Sequence, residues 1–78
     1  MELDIRGCTC DDGVYQMDAF LDRAVLSHVS TVTIIHGKGT GVLRAAVHRR
    51  LKELKYVKSF RLGVFGEGED GATIVELK

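Results

Sequence analysis

The sequence predicts an α/β domain, a two-layer sandwich in which two helices cover one four-stranded mixed sheet. Segments with strand-like and helix-like patterns alternate along the chain in the order β-α-β-α-β-β. A strand, a helix and a strand in succession imply parallel pairing through right-handed crossovers. The last two strands are separated by only a short glycine-rich turn, which favours an antiparallel hairpin. The 78 residues form one domain, residues 1–78.

The first half of the chain contains a short strand and a long helix. Residues 3–5 alternate as in a strand, which stops at Gly7. We expect the helix to begin at Asp11 or Asp12, because either side chain is a good N-cap. Its apolar stripe recurs every three or four residues and consists of Val14, Met17, Leu21, Val25 and His28, widened by Phe20 and Ala24.

The second half contains the strongest strand prediction, because residues 31–35 are all β-branched. Their alternation indicates that one face of the sheet is better covered than the other. A second helix is predicted from Val42 to about Lys55, with His48 partly buried or solvated rather than functional. Residues 57–64 and 72–77 predict the last two strands, and the acidic, glycine-rich residues 66–71 predict an exposed turn between them.

The formal net charge of zero conceals a basic half. Residues 38–61 contain eight lysines and arginines and one acid, a balance of +7, which leaves −7 for the rest of the chain. Such a local excess favours a polyanionic partner such as nucleic acid or a ribosomal surface, although it is also compatible with a solvated face. The aromatic residues are scattered, which argues against readout of single bases by stacking.

Other classes of protein are disfavoured. No apolar run approaches the roughly 20 residues of a membrane span, and the N-terminus does not resemble a secretory signal. Cys8 and Cys10 are too close in sequence for an unstrained disulfide, so we expect reduced thiols and a cytoplasmic protein. Two cysteines and a histidine also fall short of the four ligands of a structural zinc site.

The loop His-Gly-Lys-Gly-Thr-Gly at residues 36–41 joins the second strand to the second helix. Its glycines permit tight turns and close approach of the backbone to a ligand, and the following helix N-terminus favours an anion. We therefore predict a phosphate-binding site formed by Gly37, Lys38, Gly39, Thr40 and Gly41. The spacing fits neither the Walker nor the Rossmann pattern. A flexible connection without a ligand is the alternative.

Asp4, Arg6 and His36 are the candidate catalytic residues. If the first two strands are parallel neighbours, their carboxyl ends lie side by side and the three side chains converge near the loop. Asp4 and Arg6 are two apart in a strand and therefore point to the same side. The alternatives are a surface ion pair for Asp4 and Arg6, and a backbone hydrogen bond that merely anchors the loop for His36.

Three blocks of sequence resemble the Smr (small MutS-related) domain. They are Leu-Asp-Ile-Arg-Gly at residues 3–7, Ile-Ile-His-Gly-Lys-Gly-Thr-Gly-Val-Leu-Arg at residues 34–44, and Gly-Ala-Thr-Ile-Val-Glu-Leu at residues 71–77. Stand-alone members usually carry histidine where this chain has Arg6. Together with the complete loop, Arg6 points to the branch found at the C-terminus of the second bacterial MutS paralogue, which has no mismatch-recognition domain.

The resemblance implies a fold related to the C-terminal domain of translation initiation factor three. It also implies nicking endonuclease activity on DNA, including branched recombination intermediates, and a place at the C-terminus of a larger, homodimeric ATPase. We expect the isolated domain to be monomeric. The alternatives are an RNA endonuclease, or a non-catalytic module that binds structured RNA, ribosomal RNA or collided ribosomes.

For phosphodiester cleavage we expect the loop amides, Lys38 and Arg6 to hold and neutralise the phosphate. Asp4 would orient or deprotonate the attacking water, directly or through a loosely held magnesium or manganese ion. His36 would shape the loop or protonate the leaving group. Further contacts to nucleic acid are predicted from the basic residues of the second helix, namely Arg44, Arg49 and Arg50.

Overall fold

The computed structural model describes residues 1–67 and 69–78. These residues form four strands and two α-helices in the predicted order, with a short 3-10 turn before the last strand. The elements are β1 Glu2–Asp4, α1 Cys10–Leu26, β2 Thr31–Ile35, α2 Val42–Glu53, β3 Val57–Leu62 and β4 Ala72–Leu77. Neither helix in this described part of the chain is long and apolar enough to cross a membrane.

The four strands form one mixed sheet in the order β1-β2-β4-β3. β1 pairs in parallel with β2, and β4 runs antiparallel to both β2 and β3. This confirms the predicted mixed sheet, the parallel first pair and the final hairpin. β4 lies in the interior of the sheet, and five of its six residues are buried. β3 lies at an edge and is mostly exposed, as is common for an edge strand.

The core lies between the two helices and one face of the sheet. β2 contributes Val32 and Ile34, which are almost completely buried, while Thr33 and Ile35, which alternate with them along the strand, remain partly exposed. The helices cover this face with fully buried side chains of Met17, Leu21, Val47 and Leu51. The predicted difference between a covered and an open face of the sheet is thus confirmed.

The predicted start of α1 is wrong by one to three residues. Thr9, not Asp11 or Asp12, is the N-cap, and its hydroxyl accepts a hydrogen bond from the amide of Asp12 at 3.2 Å. Both aspartates lie in the first turn, where a negative charge is also favourable. The helix ends at Leu26, so His28 is an exposed residue beyond it with φ of 58°, outside the predicted stripe.

Gly13 is the contact point between the beginnings of the two helices. A Cβ atom at this position would lie 3.0 Å from Leu43 Cδ1 and 3.3 Å from Ile5 Cδ1. Glycine lowers the helix propensity slightly at this position, but its lack of a side chain allows α1 to pack closely against α2 and the end of β1.

The other boundary differences are small. α2 ends at Glu53 and β3 ends at Leu62, each two residues before the predicted limit. The turn predicted at residues 66–71 contains a 3-10 turn over Glu69–Gly71, and Gly68, which that prediction includes, lies outside the described residues.

Candidate nucleic-acid interface

The loop between β2 and α2 borders a cavity of about 370 Å³. Gly37 and Gly41 have φ angles of 83° and 84°, which residues with a Cβ atom rarely adopt. Gly41 is the N-cap of α2 and has no side chain to cap the helix, and among the first amides of α2 that of Val42 donates to Thr40 Oγ1 at 3.4 Å. The amide groups and the positive dipole end of α2 therefore face the cavity, an arrangement that favours an anion.

The opposite wall of this loop cavity is formed by residues 7–10, which lead into α1. The two helices both begin at this end of the sheet, so α1 also directs its N-terminus towards the cavity. Cys8 and Cys10 line the same wall as free thiols, and Cys10 Sγ lies 3.9 Å from the carbonyl oxygen of Val42. A glycine-rich loop and the residues at the beginnings of the two helices thus line this open cavity.

Two cations belong to the loop cavity. The Arg44 guanidinium packs over Gly41, where a Cβ atom would lie 2.9 Å from Nη2. Lys38 Nζ lies 3.0 Å from Glu69 Oε2 and 3.6 Å from Asp70 Oδ1, and Glu69 is the main reason that the pKa of Lys38 is raised. Lys38 is therefore positively charged but already paired with carboxylates, and these carboxylates would compete with a phosphate for it.

Asp4 and Arg6 form a bidentate ion pair at the end of β1. Arg6 Nε donates to Asp4 Oδ1 at 3.0 Å, and Arg6 Nη2 donates to Asp4 Oδ2 at 2.7 Å. These charge-assisted hydrogen bonds lower the pKa of Asp4 to about 2. The two side chains point to the same side, as predicted.

The end of β1 lies against the loop, as the parallel pairing of β1 with β2 predicts. Ile5 donates its amide to the carbonyl of Ile35 at 2.9 Å, and a Cβ atom on Gly37 would lie 3.3 Å from Arg6 Cγ. Arg6, Gly37 and Lys38 also line a second cavity, of about 540 Å³, on the open face of the sheet. The Gly37–Lys38 segment therefore separates two concave surfaces.

The expected convergence of His36 with Asp4 and Arg6 is wrong. His36 is only 5% exposed and continues the covered face of β2 beyond Val32 and Ile34. Asp4 pairs with Ile35, on the open face. The two-residue period of the strands contained this information, because residues on opposite faces of a sheet cannot converge.

His36 is instead held by hydrogen bonds beneath the loop. Its Nδ1 lies 2.9 Å from the carbonyl oxygen of Gly37, and its Nε2 lies 2.8 Å from Thr73 Oγ1. Gly71 at the start of β4 accepts the amides of His36 and Gly37 at 3.1 and 2.9 Å. These contacts match the alternative in which His36 anchors the loop.

Sequence reasoning missed Thr73 and His48. The Thr73 side chain is fully buried, and its hydroxyl oxygen lies 2.8 Å from His48 Nε2 as well as from His36. Burial is the main reason that the pKa of His48 is lowered, and electrostatic interactions with His36, Arg44 and Lys52 lower it further. The available signal was a hydroxyl residue flanked by apolar residues in a strand whose only other polar residue is Glu76.

The predicted arginine contacts of α2 divide into two kinds. Arg50 makes a bidentate ion pair with Asp18 of α1, at 3.1 Å for each bond, and also contacts Glu53 at 3.3 Å. Its charge therefore joins the two helices, and two carboxylates would compete with a phosphate for it. Arg49 is exposed and makes no ion pair with any described residue, so it remains available to a polyanion.

A resident metal ion does not fit the residues of this site. Both oxygens of the Asp4 carboxylate accept hydrogen bonds from Arg6. Within the described residues, no group of three or more histidine, cysteine, aspartate or glutamate side chains is placed to hold a metal ion. The donor set therefore supports phosphate binding by cations and amides.

Comparison with known proteins agrees with this geometry. The Smr domain family matches residues 3–78 of the chain. An Endonuclease MutS2 from Caldanaerobacter subterraneus subsp. tengcongensis is 56% identical over 75 residues, which cover 96% of this chain and 10% of that protein. The Endonuclease MutS2 of Caldicellulosiruptor bescii is 54% identical over 78 residues, covering all of this chain and 10% of the relative. The chain spans about a tenth of the length of these relatives.

Solved structures with the same fold belong to the same group of proteins. The Smr domain of Thermus thermophilus MutS2 superposes with a TM-score of 0.96 at 40% identity, covering 99% of this chain and 96% of that one. YdaL, a stand-alone small MutS-related protein from Escherichia coli, superposes with a TM-score of 0.94 at 25% identity, covering 99% and 63% of the two chains. This chain belongs to the Smr domain family, and it is similar to MutS2 endonucleases and to the Smr domain of one of them.

Proposed function

We propose that this domain binds nucleic acid through its backbone phosphates and nicks DNA as part of a longer MutS-like protein. One observation carries the proposal. The loop cavity at the start of α2 and the Asp4–Arg6 ion pair lie on the two sides of the same Gly37–Lys38 segment. The relatives named Endonuclease MutS2 support a nuclease role for the family.

Phosphate binding follows from the charges around the loop cavity. The α2 amides supply donors without a carboxylate in the cap position, and Arg44 adds a positive charge beside Gly41. Lys38 is bound to Glu69 and Asp70, so a phosphate must displace these carboxylates before it gains that cation. Backbone contacts of this kind fix the position of a strand without reading its sequence.

The chemistry that we propose is in-line hydrolysis of one phosphodiester. The water oxygen attacks phosphorus and releases a proton to solvent, the bond to the leaving oxygen breaks, and the leaving oxygen takes a proton from solvent. Arg6 and the loop amides stabilise the charge on the phosphoryl oxygens. Asp4, with a pKa of about 2, is a weak base at neutral pH and therefore orients Arg6 and the water rather than removing a proton.

The test is nicking of supercoiled plasmid by the purified domain and by Asp4→Ala. We expect the substitution to reduce nicking by about 100-fold or more, because it removes the group that orders Arg6, while affinity for DNA changes little. Parallel reactions with added magnesium, added manganese or a chelator test whether a loosely held ion assists. Asp22→Asn, an exposed carboxylate change on α1, is the matched control and should leave nicking unchanged.

The second candidate is a binding module that does not cut. It is favoured by the complete pairing of the Asp4 carboxylate with Arg6, which leaves a poor base at the site. Structured RNA in the same reactions distinguishes the possibilities. Tight binding of plasmid and RNA with no cleavage by the wild-type domain would replace the nuclease proposal by the binding proposal, and cleavage of RNA alone would redirect the activity to RNA.

A further inference from the structure

A series of hydrogen bonds connects α2 and β4 to the buried side of the phosphate loop, which is the predicted phosphate-binding loop at residues 36–41. Thr73 Oγ1 lies 2.8 Å from Nε2 of both His36 and His48, and His36 Nδ1 lies 2.9 Å from the carbonyl oxygen of Gly37. In the described part of the molecule, no buried side-chain nitrogen or oxygen atom lacks a partner. For neutral imidazoles, the direction of each hydrogen bond follows from which atoms can donate and which can only accept.

The Gly37 carbonyl fixes the order of the protons. A carbonyl oxygen only accepts, so Nδ1 of His36 must carry a hydrogen and donate it. In a neutral imidazole the other nitrogen is then an acceptor, which requires the Thr73 hydroxyl to donate to His36 Nε2. Since its one hydrogen is used, Thr73 accepts from Nε2–H of His48. The hydrogen bonds therefore all point in one direction, from His48 through Thr73 and His36 to Gly37.

The electrostatic surroundings of His48 agree with this uncharged arrangement. On its own helix, Arg44 and Lys52 are positive, and the end of β2 presents His36. β4 presents the Thr73 hydroxyl and β3 the ring of Phe60, whose centroid is 5.0 Å from that of His48. Burial and these positive neighbours lower the pKa of His48, which favours its neutral form.

These hydrogen bonds also determine the orientation of the Gly37–Lys38 peptide. A peptide unit is planar and trans, so the Gly37 carbonyl and the Lys38 amide point in opposite directions. Because the carbonyl is held towards the buried His36 ring, the Lys38 amide is directed to the exposed side of the loop. An amide fixed in this direction is a preorganised donor for a phosphate oxygen.

We propose that His48 and Thr73 are positioning residues for phosphate binding, acting through the Nδ1–H tautomer of His36 on the Gly37–Lys38 peptide. The proposal rests on the proposed binding of nucleic acid. It assigns a role to two residues that do not touch the ligand, and it explains why a hydroxyl lies in a fully buried position of β4.

The first test is the tautomer of each histidine, measured by long-range proton–nitrogen correlation NMR of histidine-labelled protein at pH 8. We expect His36 to carry its hydrogen on Nδ1 and His48 on Nε2. A wild-type spectrum with the hydrogen of His36 on Nε2 would overturn the proposal, because Gly37 would then have no donor from the ring.

The second test compares variants of Thr73 in binding to a short fluorescein-labelled DNA duplex. Thr73→Val removes the hydroxyl, and we expect about fivefold to tenfold weaker binding together with loss of the single His36 tautomer. Thr73→Ser retains the hydroxyl and should bind within about twofold of wild type. Thr31→Val, an exposed position on β2, is the matched control and should change neither quantity. Unchanged affinity and tautomer in Thr73→Val would contradict the positioning role.

His48 provides a second route if Thr73→Val does not fold. His48→Gln retains an N–H donor for Thr73 and should preserve affinity and the His36 tautomer, whereas His48→Leu should lose both. Equal behaviour of the two variants would overturn the proposal. If the wild-type domain shows the expected tautomers but binds no DNA, the proposed function fails alone. Hydrogen exchange of the Lys38 amide in Thr73→Val and Thr73→Ser then decides the positioning role.

Discussion

The two sides of the phosphate loop at Gly37 differ in burial and charge. On the inner side, His36 and Thr73 are buried and joined by hydrogen bonds. On the outer side, Asp4 and Arg6 form an ion pair whose side chains are 46% and 63% exposed. Both sides lie close to the same glycine: the His36 imidazole contacts its carbonyl, and Arg6 Cγ would lie 3.3 Å from a Cβ atom at this position.

This difference predicts which substitutions affect stability and which affect the reaction. An exposed ion pair contributes at most about 1 kcal/mol to the free energy of unfolding, since solvent screens it. Removing one partner of a buried hydrogen bond costs about 1–3 kcal/mol, because the other partner stays dry and unsatisfied. We therefore expect changes on the inner side to affect folding, and changes on the outer side to affect the reaction.

The largest effect is expected on the outer side, for Arg6→Ala. It removes the guanidinium that is proposed to stabilise the phosphoryl oxygens, so nicking of plasmid should fall by about 100-fold. The free energy of unfolding, measured in urea, should change little, because solvent screens this exposed ion pair. A large loss of stability with nicking intact would remove the distinction between the two sides.

On the inner side, His36→Ala should destabilise the domain by about 1–3 kcal/mol, because the Thr73 hydroxyl and the Gly37 carbonyl lose their shared partner. For a domain of this size, each kcal/mol corresponds to about 4–8 °C in the thermal midpoint. His28→Asn is the control, because this exposed histidine has φ of 58° and asparagine tolerates that region. An equal melting temperature for His36→Ala and the control would refute a structural role of the inner side.

A smaller effect distinguishes two adjacent arginines of α2. Arg49→Gln should weaken DNA binding a few-fold and reduce the slope of log affinity against log salt by about 1, because one phosphate contact is lost. Arg50→Gln should leave that slope unchanged and instead lower the midpoint of urea unfolding, because Asp18 loses its bidentate partner. The opposite assignment would show that the Arg50 ion pair opens when DNA binds.

The smallest effect is expected from pH. The folded-state pKa of Asp4 is depressed from 3.8 to about 2 by Arg6. A depressed carboxyl pKa stabilises the fold above the unfolded value, and that contribution is lost as pH falls from about 4 to about 2. Asp4 therefore stays ionised at higher pH, and the pH profile of nicking between 5 and 8 should show no limb that Asp4→Ala removes. A protonation step in that range assigned to Asp4 would contradict its role as an orienting group.

Local pattern predicted most of the fold. The β-branched run at residues 31–35 and the apolar segment at residues 72–77 became β2 and β4 with the predicted bounds. The alternation along β2 anticipated a covered and an open face, because successive side chains of a strand point to opposite sides. The start of α1 was misplaced because a threonine and two aspartates compete as caps within four residues, and only the backbone geometry selects Thr9.

The site was predicted in part. The meeting of Asp4 and Arg6 with the glycine loop followed from parallel pairing of β1 and β2, and the structure has that pairing. The same reasoning failed for His36 because it treated the strand end as a point and ignored the side to which the residue turns. A one-residue step along a strand reverses that side, so position at an edge and orientation must be derived separately.

The sequence by itself determined the order of elements, the glycine loop at a strand end and the family of the domain, because these depend on local period and short motifs. Only the tertiary structure decided which charges remain free and which polar groups are buried. Arg50 meets an aspartate 32 positions away, and Thr73 meets two histidines from different elements. Such contacts depend on how helices and strands pack in three dimensions, and no local pattern specifies that packing.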